Sequence, residues 1–88
     1  MAEVTVRIKY LSALRDKTHK RLDELTLPAG SRLADVAAWL ARSYGLAVPG
    51  PQLLSTLNGR GWAQLPDTLA TELADGDEIA IFPLVSGG

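Results

Sequence analysis

Residues 4–10 alternate between apolar and polar side chains, the apolar ones being Val4, Val6, Ile8 and Tyr10. This period of two, in residues that favour strands, predicts a half-buried opening strand. Three leucines in the segment 22–27 predict a second strand, which Pro28-Ala29-Gly30 closes. A hairpin is the simplest pairing of the two. Between them, the polar segment predicts a short helical turn around Ser12–Arg15, followed by a loop.

The spacing of apolar residues then changes to that of an amphipathic helix. One stripe, at intervals i, i+3, i+4, i+7 and i+11, contains Leu33, Val36, Ala37, Leu40 and Tyr44. Ser31 is the expected N-cap, and Gly45 is the expected left-handed stop. Asp35 lies four residues after Ser31, so a capping box is not expected. Trp39 lies on the flank of the stripe and is expected at the edge of the core.

Turn signals divide the next part of the chain. Pro49-Gly50-Pro51 predicts an extended crossing, and the leucine-rich segment 53–57 predicts a strand. Asn58-Gly59 is a strong hairpin signal. Trp62–Leu65 is therefore expected to form a short return strand.

Asp75-Gly76 predicts a turn into the last strand, Glu78–Phe82. Pro83 is expected to end pairing because proline lacks an N–H group. The order of elements predicts an α+β fold, in which one main helix covers one face of a mixed sheet of about five strands. We assign residues 1–82 to one domain and residues 83–88 to a flexible C-terminal tail.

The sequence finishes with two glycines, Gly87 and Gly88. Without Cβ atoms they form the thinnest possible backbone, which can enter a channel too narrow for side chains. The α-carboxylate that they would present is ionised at neutral pH, because its ordinary pKa is about 3.3–3.7. An ionised carboxylate is a poor electrophile, so it needs activation before it can carry another group. A frayed chain end is the alternative interpretation.

Composition restricts the possible functions. The chain has 88 residues, no cysteine and a net charge of −1, which argues against general nucleic-acid binding. Residues 1–44 hold eight basic and five acidic residues, whereas residues 45–88 hold one basic and five acidic residues. Such asymmetry can steer the approach of a partner. No apolar run reaches the roughly 18 residues of a membrane helix, so we expect a cytoplasmic protein without a membrane partner.

No catalytic or metal-binding constellation is visible in the sequence. His19 is the single histidine, and without a cysteine or a second histidine it has no partner for a metal site. The serines lack the context of a nucleophile elbow. The basic residues Arg15, Lys17, Lys20 and Arg21 are expected to form a solvated face. We therefore expect no metal and no self-contained active site, and we leave open whether the protein acts as part of an enzyme.

Several segments together resemble the ubiquitin-like sulfur carriers of the MoaD/ThiS family, and most closely the small subunit of molybdopterin synthase. These segments are Leu73–Pro83, Val85–Gly88, Arg15-Asp16, Pro28-Ala29-Gly30 and Asn58. The resemblance covers nearly the whole chain and implies a ubiquitin-like β-grasp fold. One residue differs: the molybdopterin type usually has two consecutive prolines, and here Leu84 replaces the second.

The resemblance implies a reaction cycle that begins at Gly88. A ubiquitin-activating-like enzyme of the MoeB/ThiF type would use ATP to adenylate Gly88, and a persulfide donor would convert it to a thiocarboxylate. Gly87 would keep the tail slender, and the chain itself would bind no cofactor. The sulfur would pass to the large subunit of molybdopterin synthase (MoaE type) or to another acceptor enzyme. The residues expected to dock on partners are Phe82, Pro83, Leu84, Val85 and Ser86, for which strand-end packing is the alternative role.

Three other functions remain open. The same carrier chemistry could serve thiamine, cysteine or another sulfur metabolite. Gly88 could instead be joined to lysines of other proteins, which would make the chain a protein modifier. The domain could also be an interaction module whose diglycine is incidental.

Overall fold

The computed structural model describes residues 2–12 and 14–83. Within them, five strands form one sheet and two α-helices accompany it. The elements are β1 (Glu3–Tyr10), α1 (Leu14–Thr18), β2 (Leu22–Pro28), α2 (Leu33–Tyr44), β3 (Leu53–Leu57), β4 (Arg60–Gly61) and β5 (Glu78–Pro83). Two short 3₁₀ turns, Trp62–Gln64 and Thr68–Ala70, lie between β4 and β5.

The sheet is mixed and has the strand order β2-β1-β5-β3-β4. The predicted hairpin of β1 and β2 is confirmed, with Val6 opposite Leu25 in an antiparallel register. β1 and β5 pair in parallel at the centre of the sheet. β5 also pairs antiparallel with β3, so β5 has a partner strand on both sides as far as Ile81.

The core lies between one face of the sheet and α2. The predicted helical stripe supplies Leu33, Val36 and Leu40, none of which is exposed to solvent. Facing them are the inward residues of the two central strands, which include Val6, Ile8, Tyr10, Ile79 and Ile81. Trp39 is half-buried against this core, as expected for the flank of the stripe. The predicted α+β, ubiquitin-like β-grasp fold is confirmed.

The start of α2 differs from the prediction. The N-cap is Arg32 and not Ser31. Asp35 is therefore three residues from the cap, and its carboxylate accepts a 2.8 Å hydrogen bond from the Arg32 backbone N–H. This is the carboxylate half of a capping box. The guanidinium of Arg32 has no acceptor atom, so it cannot supply the other half. Gly45 adopts the expected left-handed conformation at the other end.

The return strand after the Asn58-Gly59 turn also differs from the prediction. Both turn residues have positive φ, 51° and 89°, which matches a tight two-residue hairpin. Pairing consequently resumes at once, and the return strand is Arg60–Gly61, where Trp62–Leu65 was expected. Trp62 instead opens a 3₁₀ turn that places its side chain in the core, with 3% exposed.

Two smaller boundaries shift as well. The helical turn expected around Ser12–Arg15 is the helix Leu14–Thr18, because Ser12 has a φ of 55° that a right-handed helix excludes. Pro83 does not end the pairing of β5, since it lies opposite Leu53. Beyond Ile81, β5 is paired with β3 alone, and a proline is tolerated where a strand has a free edge. The rest of the predicted tail lies outside the described residues.

Candidate functional site

The candidate site begins where β5 ends. Phe82 and Pro83 are both half-buried there, and they are the two predicted docking residues that the structure describes. Leu84, Val85 and Ser86 lie outside the described residues, as do Gly87 and Gly88. The geometry around Phe82 and Pro83 therefore defines the point from which the diglycine segment departs.

A row of apolar residues crosses the uncovered face of the sheet at this point. Leu54 of β3 lies opposite Phe82 of β5. Leu11 follows β1 directly, and its N–H donates to the Ile81 carbonyl oxygen at 3.0 Å. Leu11 and Leu54 are the two large apolar side chains with the greatest exposure in the described residues, 43% each. We call Leu11, Phe82 and Leu54 the apolar row.

Charged residues border the apolar row on the same face. Lys9 and Glu78 form an ion pair at 3.3 Å, and Arg7 and Glu24 form another at 3.8 Å. All four side chains are about half exposed or more, so these pairs contribute little to stability. An apolar centre with a charged rim is the usual composition of a protein–protein interface.

The sequence predictions included Phe82 in this surface but missed Leu11 and Leu54. Leu54 carried a usable signal, because it falls between Leu53 and Ser55 in a strand where alternate residues face opposite sides. With Ser55 and Leu57 buried, Leu54 must face outward. Single exposed leucines are common on protein surfaces, and Leu54 belongs to the candidate surface because it lies opposite Phe82 on the same face.

The start of β5 is held by a cluster of hydrogen bonds. The Asn58 side-chain amide donates to Asp77 Oδ1 at 3.0 Å, and Asn58 Oδ1 accepts from the Glu78 N–H at 2.9 Å. Asp77 Oδ2 in turn accepts from the Ala74 N–H at 2.7 Å. Nearby, Asp75 Oδ1 accepts from the Thr5 N–H at 2.8 Å. The acidic residues of this segment therefore have structural roles, which fix the strand that carries the tail.

A second polar cluster ties β1, β2 and α2 together. Asp23 Oδ2 accepts hydrogen bonds from the hydroxyls of Tyr10, at 2.8 Å, and Tyr44, at 2.6 Å. Lys20 Nζ lies 3.1 Å from Asp23 Oδ1. The rings of Tyr10 and Tyr44 also meet edge to face, with centroids 5.7 Å apart.

These contacts change the acidities of the cluster. Burial of Asp23 favours the neutral acid, but the hydrogen bonds from Tyr44, Tyr10 and Lys20 outweigh it, and the pKa of Asp23 lies below its ordinary value. Burial, followed by the Asp23 carboxylate, raises the pKa of Tyr10 and of Tyr44. The tyrosines therefore stay neutral as donors and Asp23 stays ionised as acceptor at neutral pH. The cluster therefore has a structural role, which is to join β1, β2 and α2 by hydrogen bonds on the helix side of the sheet.

A cleft of about 460 Å³ lies on the helix side of the end of β5. Its lining includes Leu14 and Lys17 of α1, the segment 45–47 that follows α2, and the strand ends Leu53 and Pro83. Leu53 and Pro83 alternate with Leu54 and Phe82, so the cleft and the apolar row lie on opposite faces of the sheet. The end of β5 thus separates two distinct surfaces.

The described residues contain no group of three or more His, Cys, Asp or Glu side chains able to hold a metal ion. His19 lies exposed in the loop after α1 with a φ of 63°. Across residues 2–12 and 14–83, none of the helices is long and apolar enough to cross a membrane.

Solved structures of known proteins share this architecture. Small archaeal modifier protein 1 from Methanosarcina acetivorans superposes with a TM-score of 0.78 and 24% identity, over 100% of both chains. A putative molybdopterin converting factor subunit 1 from Pyrococcus furiosus gives 0.75 and 25%, over 93% of this chain and 99% of that chain. In a complex of subunits 1 and 2 of molybdopterin-converting factor from Helicobacter pylori, the matching chain gives 0.65 and 24%, over 97% and 100%.

A search among curated proteins gave no match. The sequence pattern of the ThiS family, in contrast, matches residues 8–88, which is nearly the whole chain and includes the diglycine. The match extends from β1 through the end of β5 and into the segment that follows it. The chain belongs to the ThiS family and has the ubiquitin-like β-grasp fold.

Proposed function

We propose that this chain is a sulfur carrier whose Gly88 carboxylate is converted to a thiocarboxylate, and that it serves molybdopterin synthesis as the small subunit of molybdopterin synthase. The observation that carries the proposal is the ThiS family match, which runs through Gly87 and Gly88. The fold supports it, because β5 lies in the centre of the sheet and stays paired with β3 as far as Pro83, where this segment begins. The carrier has no catalytic groups in this scheme, and its partners supply them.

The chemistry starts with a carboxylate that must gain a leaving group. A Gly88 oxygen attacks the α-phosphate of ATP in an activating enzyme of the MoeB/ThiF type, which releases pyrophosphate and forms an acyl adenylate. The terminal sulfur of a persulfide then attacks the carbonyl carbon and displaces AMP. A second thiol then attacks the donor's sulfur in the resulting acyl disulfide and forms a new disulfide with the donor. The S–S bond to the carrier breaks, and Gly88 leaves as a thiocarboxylate that retains one sulfur. ATP is a substrate of the activating enzyme in this scheme, and the carrier holds none.

The apolar row provides the docking surface in this proposal. Leu11, Phe82 and Leu54 lie beside the end of β5, so a partner that covers them sits next to the point where the segment after Pro83 begins. Five residues beyond Pro83 span at most about 17 Å. Gly88 can therefore reach a partner's active site while the folded domain stays outside it.

Molybdopterin synthesis is the pathway with the most support. The similar chain from Pyrococcus furiosus is named a putative molybdopterin converting factor subunit 1. The similar Helicobacter pylori chain belongs to a complex of subunits 1 and 2 of molybdopterin-converting factor. We accordingly propose a large subunit of the MoaE type as the sulfur acceptor. Leu84 replaces a proline usual in that type, so an acceptor enzyme of another sulfur pathway is the alternative.

The pathway can be tested with the purified thiocarboxylated chain. It should be mixed with a molybdopterin synthase large subunit and the pterin precursor, with a thiazole-forming acceptor enzyme in a parallel reaction. We expect the thiocarboxylate to be consumed and sulfur to enter the pterin in the first reaction alone. Consumption only in the parallel reaction would assign the carrier to thiamine synthesis. High-mass conjugates with other proteins on a denaturing gel would favour a protein modifier.

A further inference from the structure

The strand β2 forms a long open edge of the sheet. The strand order leaves β2 and β4 at the two edges, and β4 has two residues whereas β2 has seven. An open edge presents backbone N–H and C=O groups that can pair with another extended chain. The sheet that the structure describes can therefore be extended at β2, where the edge is long enough for several hydrogen bonds.

Hydrogen bonds at both ends of the hairpin identify the backbone groups of β2 that face outward. The Tyr10 N–H donates to the Arg21 carbonyl oxygen at 2.8 Å, and the Ala29 N–H donates to the Ala2 carbonyl oxygen at 3.2 Å. Hydrogen-bonded pairs recur at every second residue of an antiparallel ladder, so the odd-numbered residues of β2 bond to β1. The even-numbered N–H groups point away from β1 and have no acceptor among the described residues. They belong to Leu22, Glu24 and Thr26.

Apolar side chains line the helix side of this edge. Leu25 and Leu27 are half-buried there and pack against the core. Lysines and bulges protect many natural edges, but β2 has no lysine and pairs with β1 in an uninterrupted register. A strand that paired with β2 would remove the exposed parts of both leucines from water.

The charged residues of β2 already have partners within the chain. Glu24 lies opposite Arg7, with 3.8 Å between their charged groups. The Asp23 carboxylate accepts hydrogen bonds from the hydroxyls of Tyr10 and Tyr44. The net charge of the whole chain is −1, so two copies repel each other only weakly. The charges of the edge therefore permit a second copy of β2 as the pairing partner.

We propose that two copies of this chain associate by antiparallel pairing of their β2 strands, with Leu25 opposite Leu25 of the second copy. Glu24 then lies opposite Thr26 of the second copy, and each such pair exchanges both of its backbone hydrogen bonds. The two copies of Leu25 meet on the helix side of the sheet, where side chains directly opposite each other are in contact. The two sheets become one continuous sheet.

The sequence of β2 selects this register. Leu25 is the central residue of Leu22–Pro28, so the whole strand is paired. Sliding one copy by two residues shortens the overlap in either direction. In one direction it places Glu24 opposite Glu24 of the second copy, and like charges directly opposite each other are destabilising. In the other direction it places Glu24 opposite Pro28 of the second copy, which has no N–H group to donate.

Disulfide cross-linking tests the pairing, because the chain has no cysteine of its own. The two copies of Leu25 form a pair that is not hydrogen-bonded, in which the Cα atoms are about 4.5 Å apart, a distance that a disulfide spans. In a glutathione redox buffer, we expect Leu25→Cys to form a covalent dimer at least about tenfold faster than Ala38→Cys, because pairing raises the effective concentration of the thiols. Ala38 is exposed on α2 and serves as the matched control.

Thr26→Cys tests the register. In the proposed pairing, the two copies of Thr26 are diagonal neighbours about 7–8 Å apart, which is too far for an unstrained disulfide. This variant should therefore cross-link more slowly than Leu25→Cys, although Thr26 is the more exposed of the two residues.

Sedimentation equilibrium from micromolar to millimolar concentrations measures the association of the chain without cysteines. We expect a reversible dimer, which Thr26→Pro should weaken by about tenfold or more, because the substitution removes one N–H donor from each copy. The hairpin should tolerate this proline, since the Thr26 N–H faces away from β1. Thr26→Val is the matched control, because it keeps the N–H group, and it should preserve the dimer.

Four results would overturn the inference. The first is equal cross-linking of the Leu25 and Ala38 variants, and the second is a monomer at every concentration. The third is faster cross-linking of the Thr26 variant than of the Leu25 variant, which would exclude the register. The fourth is a dimer that Thr26→Pro leaves intact, which would assign the association to another surface. None of these measurements involves Gly88 or the apolar row, so their failure is distinguishable from failure of the proposed function.

Discussion

Leu54 and Phe82 lie opposite each other on β3 and β5, on the face of the sheet that α2 leaves uncovered. Leu54 is 43% exposed, although it is a large apolar residue in a regular strand. An apolar side chain at the centre of an interface contributes mainly through its removal from water. This pair is therefore the point at which the proposed docking surface is most sensitive to substitution.

Leu54→Glu is predicted to weaken docking on the activating enzyme at least tenfold, because it would bury a charge without a partner. Surface plasmon resonance with the immobilised enzyme would measure the dissociation constant. Ala38→Glu is the control, since Ala38 is exposed on α2, away from the sheet, and its substitution should leave binding unchanged. Equal binding by the Leu54 variant and the unsubstituted chain would exclude the apolar row from that interface.

Asn58 is predicted to matter for stability through its side chain. Asn58→Ala removes two hydrogen bonds, to Asp77 and from Glu78, and should lower the free energy of unfolding by about 1–3 kcal/mol. The residue also has a φ of 51°, which asparagine tolerates better than alanine. Asn58→Gly loses the same hydrogen bonds but keeps the φ accessible, and it adds a destabilisation of about 0.4–1 kcal/mol through the greater entropy of the unfolded chain. Urea denaturation of both variants separates the effect of the hydrogen bonds from the effect of the positive φ. Unchanged midpoints in both would show that the Asn58 hydrogen bonds do not stabilise the fold.

The tyrosine–aspartate cluster predicts how stability depends on pH. The pKa of Asp23 in the folded chain lies below its ordinary value of about 3.9. The Asp23 carboxylate therefore contributes fully to the free energy of unfolding at pH values above that ordinary value. The contribution is lost as the pH falls through the folded pKa. Asp23→Asn should therefore be less stable than the unsubstituted chain at neutral pH, by about 1–2 kcal/mol.

Urea titrations from about pH 6 to pH 2 would measure this difference. The gap between the Asp23→Asn variant and the unsubstituted chain should narrow below about pH 4, because protonated aspartic acid loses the advantage of charge. Glu24→Asn, at an exposed neighbouring position, is the control and should show no comparable gap. If the difference in free energy of unfolding between the Asp23→Asn variant and the unsubstituted chain is constant over the whole pH range, the charge of the carboxylate does not contribute to stability.

Trp62 is buried, and its Nε1 donor has no hydrogen-bond partner among the described residues. Trp62→Phe leaves a small cavity but also removes a buried donor that has no partner, and the two effects oppose each other. The free energy of unfolding should therefore change by less than about 1.5 kcal/mol. Trp62→Ala leaves a cavity as well and should cost about 3–5 kcal/mol. Thermal unfolding of both variants would measure these changes in the free energy of unfolding. A Phe variant as unstable as the Ala variant would indicate that the indole nitrogen makes a contact that stabilises the fold.

The sequence was sufficient for the architecture because local patterns and packing agree in most of the chain. The alternation in β1 marks buried residues, and three of the five stripe residues in α2, Leu33, Val36 and Leu40, are fully buried. The Asn58-Gly59 turn was recognised for the same reason, since the two residues tolerate the positive φ that a tight hairpin needs. What the sequence could not give was the exact extent of the return strand, because burial of Trp62 ends the pairing early.

The candidate site was less predictable than the fold. Phe82 was identified because it adjoins the tail, whereas Leu54 and Leu11 come from other strands. Their proximity to Phe82 depends on the strand order β2-β1-β5-β3-β4, in which β5 lies between β1 and β3. The N-cap was missed by one residue for a related reason. Arg32 makes an isolated bridge with Glu72, so Ser31 lies one residue outside the helix cap.

The central claim is that Gly88 carries sulfur. Its most direct test is the intact mass of the chain after incubation with ATP, an activating enzyme of the MoeB/ThiF type and a persulfide donor. We predict a gain equal to the exchange of one oxygen for one sulfur, which disappears when Gly88 is deleted or when one residue is added after it. An unchanged mass with several activating enzymes that are competent on other carriers would contradict the claim.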